Sequence, residues 1–220
     1  MQLKGKISFK GGVSMRVKHS FSKQHYSAAK CFSNEAIQIE SSSTSISEED
    51  LSKHRAYVTG TIFFAVAALE ASINEFYLEA LDRNENTLSG LNNNQLSILS
   101  CKWENIESLP VDEKYQEALK SLGKKEFDKG RNPFQDTVSL IDLRNALVHY
   151  KPEWDDETDV HKKIKIRLHK KFPINTFSKP KNLWFPHQCL GAGCAIWSIN
   201  TIESFMSEFC KAMGIINRFK

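Results

Sequence analysis

The strongest pattern in the chain is a broad apolar face between residues 51 and 82. Tyr57, Phe63, Phe64, Ala67, Leu69, Ile73, Phe76, Tyr77, Ala80 and Leu81 recur at helical spacing with no proline among them, which predicts a long helix from about Leu51 to Asp82. Ser47, followed by Glu48, Glu49 and Asp50, reads as its start: a hydroxyl to cap free amides, then acids that complement the positive end of the helix dipole. Upstream, a helix from about Phe21 to Phe32 is expected. After it, Ser41-Ser42-Ser43-Thr44-Ser45 reads as a polar linker with too little apolar surface to pack. Residues 1 to about 18 alternate loosely around Gly11-Gly12, the mark of a short β-hairpin or arm.

Downstream, the loop at Leu91 to Asn94 leads to a helix from about Gln95 to Ser108, closed by Pro110. A short helix from Asp112 to Leu122 ends at Gly123, a natural left-handed stop. In the segment from Phe134 to Tyr150, Leu140, Leu143, Leu147 and Tyr150 form one stripe, and Pro152 disfavours helical geometry at Lys151. A helix from Asp159 to Lys171 follows, with acids before it and lysines at its end. After an irregular stretch from Phe172 to His187, a last helix from about Leu190 to Met213 carries Ile196, Ile199, Ile202, Phe205, Met206 and Phe209 as its apolar face. The expected architecture is an all-α bundle around one long central helix. Residues 47–220 form it, and residues 1–46 supply the arm, the short helix and the linker.

Composition narrows the function only slightly. The 220 residues, 40% hydrophobic and 25% charged, suit one soluble domain, and a net charge of +4 is compatible with a polyanionic partner without demanding one. The longest uncharged run, Ala56 to Leu69, is shorter than the roughly 20 apolar residues of a bilayer span. The N-terminus, with Lys4, Lys6 and Lys10 among glycines, lacks the apolar core of a signal peptide. These features lead to the expectation of a cytoplasmic protein without a membrane partner. Five cysteines, Cys31, Cys101, Cys189, Cys194 and Cys210, are scattered and never form a C-x-x-C pair, which suits reduced thiols.

The stretch Leu143-Arg144-Asn145-Ala146-Leu147-Val148-His149-Tyr150 carries the most pointed chemistry. Arginine is a permanent cation with a planar fork for phosphate, and histidine exchanges protons near neutral pH. Five positions separate Arg144 from His149, which is about 140° on an ideal helix, so the two do not share one tight face. Asn145 projects between them, and long side chains in a final turn can converge on a cleft, particularly one completed by a second copy of the helix. The same residues also fit a plainer role: an arginine paired with a helix acid, and a histidine at the helix's negative end.

This stretch resembles the R-x4-6-H motif of HEPN domains, an α-helical superfamily of prokaryotic ribonuclease toxins, defence nucleases and non-catalytic relatives. Asn145, the polar residue directly after the arginine, fits the same pattern. The surroundings resemble an uncharacterised bacterial HEPN-like family over His54 to Gly60, Ala68 to Glu75, Leu143 to Trp154 and Cys189 to Trp197, so the resemblance spans about residues 51 to 213. It implies a metal-independent endoribonuclease of toxin or anti-phage defence type, needing no cofactor. Arg144 would orient the scissile phosphate of RNA, His149 would move protons as the 2′-hydroxyl attacks, and Asn145 would hold the arginine or touch the phosphate. One motif per chain implies a homodimer with both motifs in one cleft. An antitoxin or other regulatory protein is a further implied partner, and a non-catalytic module for dimerisation or partner binding is the alternative the superfamily also contains. Glu70 and Asn74, four apart on the long helix, are placed to brace the site or to serve an ordinary structural role. Tyr150 follows His149 directly and position 151 is lysine, which departs from the R-x4-H-x-Y pattern of toxins controlled by tyrosine modification.

Other clusters have plainer accounts. Lys151 and the acid-free run with Lys162, Lys163, Lys165, Arg167, Lys170 and Lys171 would steer RNA by charge, with Phe172, Trp184 and Phe185 nearby to stack on bases; alone it is a solvated helix face. Glu153, Asp155, Asp156, Glu157 and Asp159 read as helix-start acids rather than a cation site. His187, Cys189 and Cys194 lack a fourth zinc ligand at useful spacing, so buried thiols are expected. Gly191-Ala192-Gly193 follows no strand and lacks the third glycine of a dinucleotide loop. The phosphate-loop, zinc-protease and serine-hydrolase signatures are absent from the sequence.

Overall fold

The computed structural model describes residues 18–42, 46–83, 88–152 and 161–219. Every regular element among them is helical: α1 (Ser22–Ser42), α2 (Glu48–Leu81), α3 (Asn93–Ile106), α4 (Val111–Ser121), α5 (Phe134–Val148), α6 (Lys162–Leu168) and α7 (Ala192–Met213), with one wide helical turn at Trp184–Gln188. The expected N-terminal hairpin, residues 43–45 of the serine run, and the acids from Glu153 to Asp159 lie outside the described residues.

The long central helix begins where its capping signals stand. The Ser47 hydroxyl accepts from the Asp50 amide at 3.0 Å, and the three acids occupy the first turn. Val58, Ile62, Ala65, Leu69, Ile73 and Ala80 are fully buried along α2, which makes it the axis of the bundle. By length and composition α2 contains an 18-residue window apolar enough to cross a bilayer, more than its uncharged run suggests, but half of that window is buried against the other helices. Burial of that kind is what a core helix requires.

Helix α1 runs antiparallel to α2, because Ser22 meets Glu75 at one end and Glu40 meets His54 at the other. Gly60 lets the two approach closely: a Cβ there would stand 2.5 Å from Cδ2 of Phe32. The sequence reading ended this helix near Phe32 and placed a linker at Ser41 and Ser42; the helix instead continues to Ser42. Two contributions explain the extension. Ser33 and Ala36 continue the buried stripe of Tyr26 and Ala29 at helical spacing, and the Ser41 hydroxyl is satisfied by the Ile37 carbonyl at 2.7 Å. Helix α1 is therefore part of the bundle's core. Helix α7 runs parallel to α2, since Ala192 meets Glu40 near His54, and Phe209 packs edge-on against Phe76 at 5.6 Å.

Shorter differences have local causes. Helix α4 stops as expected, with Gly123 at φ +63°, where a side chain would be strained. Helix α5 ends at Val148 rather than Tyr150, since His149 already leaves helical geometry at φ −103°, ψ 32°. Helix α6 covers seven residues, fewer than the expected Asp159 to Lys171.

Two carboxylates tie the helices together at their ends. Glu40 accepts from Nε2 of the fully buried His54 at 2.8 Å and from the Ala192 amide, at the start of α7, at 2.6 Å. Glu75 accepts from the Phe21 and Ser22 amides at 2.7 and 2.9 Å and so caps α1 from a neighbouring helix; Arg218 lies 3.1 Å from its other oxygen. Burial is the largest single influence on each carboxyl and pushes its pKa up, but the hydrogen bonds together outweigh it and hold both below the ordinary value. A depressed folded-state pKa contributes stability above the carboxylate range and loses it as pH falls. Glu40→Gln should therefore lower the free energy of unfolding by about 1–3 kcal/mol at pH 7 in a urea titration. The gap between parent and variant should shrink as the pH falls below 4.5, the ordinary carboxyl value. An equal gap at both ends of that range would show that the charge of Glu40 does not hold the helices.

Candidate active site

On α5, Leu140 and Leu143 are fully buried, and Phe134 and Thr137 nearly so. A helix turns by about 100° per residue, so sinking Leu143 brings Arg144 to the edge of the core and Asn145 outward. The Arg144 side chain is 28% exposed, and its Nη2 stands 3.9 Å from Oε2 of Glu70 on α2. That separation is too long for a hydrogen bond, so Glu70 balances the charge without taking a donor. The Nε of Arg144 is buried with no hydrogen-bond partner among the described residues. Such an orphaned donor on a cation is costly, and it marks the guanidinium as incompletely satisfied.

His149 caps the C-terminus of α5: its amide donates to the Asn145 carbonyl at 2.9 Å, and its side chain is exposed. Asn145 is also exposed. Tyr150, 40% exposed, lays its ring nearly parallel on that of His161, 5.4 Å away and tilted by 7°. Glu70 thus reaches the arginine of the motif. Asn74 goes elsewhere, since its oxygen accepts from Nζ of the buried Lys114 at 2.9 Å and belongs to the contact between α2 and α4.

The basic run divides into two sets. Lys151, Lys162, Lys163, Lys165 and Lys170 are exposed. Arg167 pairs with Asp142, and Lys171 pairs with Asp136 at 2.5 Å, both acids on α5. Those two cations fasten α6 and the turn after it to α5. Asp136 and Asp142 played no part in the sequence reading; acids on the helix that precedes a basic run are the signal that would have pointed to them.

An open cleft of about 400 Å³ lies on one side of α6, lined by His161, Lys162, Lys165, Ile166 and His169 and backed by Leu183, Trp184 and Phe185. Its apolar wall is continuous with the core, because Phe172 packs on Trp197 at 5.3 Å and faces Trp184 at 6.5 Å. Base stacking by Phe172 is thus limited by its place in the core. Cys189 and Cys194 are buried, and burial pushes both thiols well up from their ordinary range. Nδ2 of the buried Asn175 donates to the His187 carbonyl in the wide turn at 3.3 Å and to the Leu190 carbonyl just before α7 at 3.0 Å, which ties the preceding loop to both.

The two α5–α6 ion pairs differ in exposure, and their energetic weights should differ with it. Asp142 and Arg167 are 41% and 53% exposed, so Asp142→Asn should cost less than about 1 kcal/mol. The side chains of Asp136 and Lys171 are 16% and 26% exposed, and Asp136→Asn leaves an ammonium partly buried without its partner, which should cost more. Thermal unfolding of the two variants checks this; an equal or reversed order would place the docking of α6 elsewhere. No family model, curated protein or solved structure matches the chain.

Proposed function

We propose that this chain is a metal-independent endoribonuclease of the HEPN type, of bacterial toxin or anti-phage defence character, acting as a homodimer. The observation that carries this reading is the state of Arg144: a guanidinium at the solvent edge, with one buried donor unpartnered and only a loose ion pair to Glu70, five positions before an exposed histidine. A phosphate at the solvent edge can take the Nη donors that Glu70 leaves without a hydrogen bond. Two of its oxygens match the arginine fork.

The chemistry then follows from the RNA itself. His149 takes the proton of the 2′-hydroxyl as that oxygen attacks phosphorus. The bond from phosphorus to the 5′-oxygen breaks, and a protonated His149, from the same or the second copy, returns a proton to the leaving oxygen. The products are a 2′,3′-cyclic phosphate and a 5′-hydroxyl. Arg144 stabilises the negative charge that grows on the phosphate oxygens. The exposed lysines 151, 162, 163, 165 and 170 draw in the polyanion.

Apolar side chains around the motif support pairing of two copies. Val148 and Tyr150 are 53% and 40% exposed. Phe63 and Ala67, on the α2 face that also carries Glu70, are half-buried. A second copy over this patch would cover them and bring two motifs together. The Arg144–Glu70 pair favours one other reading: if it is only a brace between α5 and α2, the face serves dimerisation or the docking of an antitoxin or regulatory protein.

His149→Ala should leave folding intact, because the side chain is exposed, and should slow RNA cleavage by about 10²- to 10⁴-fold. Arg144→Lys keeps the charge but loses the fork and should fail nearly as badly. Cleavage of total or transfer RNA by the parent should persist in EDTA. Parent-like cleavage by either variant, or activity lost in EDTA and restored by magnesium, would reject the assignment. Light scattering should show a dimer at micromolar concentration; a monomer with full activity would remove the paired cleft.

A further inference from the structure

The cleft beside α6 combines features that the ribonuclease motif does not use. His161, Lys165 and His169 recur at four-residue intervals, so one face of the α6 segment presents three nitrogen-bearing side chains to the cleft, with Lys162 at its rim. None of the described residues that line it is acidic. The facing wall, Leu183, Trp184 and Phe185, is apolar, and Ile166, 64% exposed, adds an apolar floor on the α6 side. An anion alone would need no apolar wall. An apolar molecule alone would not be suited to a lysine and histidine rim. The combination fits a flat ring that carries a phosphate, and about 400 Å³ is within the range of small-molecule sites.

Position matters as much as composition. Tyr150 follows the motif histidine directly in the chain, and its ring stacks on His161, which lines the cleft and lies 4.6 Å from Phe185. Nε2 of His161 also meets the Lys151 carbonyl at 3.3 Å, so the cleft's edge is joined to the end of α5 at two consecutive residues. Nδ1 of His169 is engaged by its own helix, at 2.9 Å from the Lys165 carbonyl, which as an acceptor requires a proton on that nitrogen. The other ring nitrogen is then the one left to meet a ligand.

We infer that this cleft is a nucleotide subsite: the base lies over the exposed Ile166 and against Leu183, with only the rims of the buried Trp184 and Phe185 behind it, and Lys165 and His169 hold the phosphate. It deepens the ribonuclease reading and rests on it for the source of the nucleotide, the unit flanking the cleaved phosphodiester. The same chemistry would also accept a free nucleotide.

Calorimetric titration of the full chain with adenosine 5′-monophosphate, adenosine, inorganic phosphate and a 2′-O-methyl RNA tetranucleotide tests the assignment. The mononucleotide should bind at least about tenfold more tightly than the nucleoside or phosphate alone, the scale set by a stacked base. Lys165→Glu and His169→Ala alter exposed side chains, and each should weaken binding about fivefold or more through the lost phosphate contact. The tetranucleotide binding more tightly than the mononucleotide, and competing with it, identifies the strand as the source; the mononucleotide binding alone identifies a free nucleotide. Binding of neither ligand, or unchanged binding in both variants, overturns the subsite. The two readings fail separately. If His149→Ala still cleaves RNA while Lys165→Glu loses nucleotide binding, the catalytic assignment falls and the subsite stands; parent-like binding and cleavage by Lys165→Glu, with His149→Ala inactive, gives the reverse.

Discussion

The complete burial of Leu140 and Leu143 is the constraint on which the candidate site depends. It fixes the rotation of α5, and rotation decides everything that follows on that helix. Arg144 arrives at the margin between core and solvent, where its long stem packs and its charged end remains reachable. Asn145 is turned to water. The helix then ends at Val148, one residue before the histidine. An α5 rotated by even one residue would bury the arginine or expose a leucine, and both are expensive.

The scaffold behind α5 is held by charge placed at helix ends as well as by apolar packing. Glu40 joins α1, α2 and α7 at one end of the bundle, and Glu75 with Arg218 joins α1, α2 and the C-terminal segment at the other. In both cases a carboxylate meets free amides at a helix start, where the dipole favours negative charge. Between the clamps, Tyr115 reaches the Leu69 carbonyl at 2.8 Å and packs edge-on against Phe205 and Phe209. Helix α6 is attached differently, through the acids of α5. Its position therefore follows that of the catalytic candidate helix, and the exposed lysines and the cleft move with it.

Much of this architecture was legible in the spacing of apolar residues. The long helix, the two short helices after it and the final helix were found to within a few residues, because each has a periodic core face and a capping or stop signal. The second half of α1 was not. Its serines suggest a linker, and what keeps them helical is burial of Ser33 and Ala36 and the anchoring of Glu40, contacts between residues far apart in the chain. Local propensity gave way to tertiary packing. The candidate site rests on Arg144, His149 and Glu70, which the sequence alone nominates, but the partner of Asn74 was not legible there, since Lys114 stands forty positions away. Charge sign alone likewise marked Arg167 and Lys171 as RNA contacts, whereas their pairing with Asp142 and Asp136 depends on how α6 lies on α5.

The account turns on whether the guanidinium of Arg144, held only by its loose pair with Glu70, takes up a phosphate. The most direct measurement is the arginine Nε–Hε region of an ¹⁵N NMR spectrum, with the Arg144 signal assigned, during titration with a 2′-O-methyl RNA that binds and cannot be cut. The account predicts a saturable shift of the Arg144 Nε–Hε signal as the guanidinium's Nη donors gain a charged acceptor at the solvent edge. An Arg144 signal that stays in place while the RNA saturates the protein would contradict it.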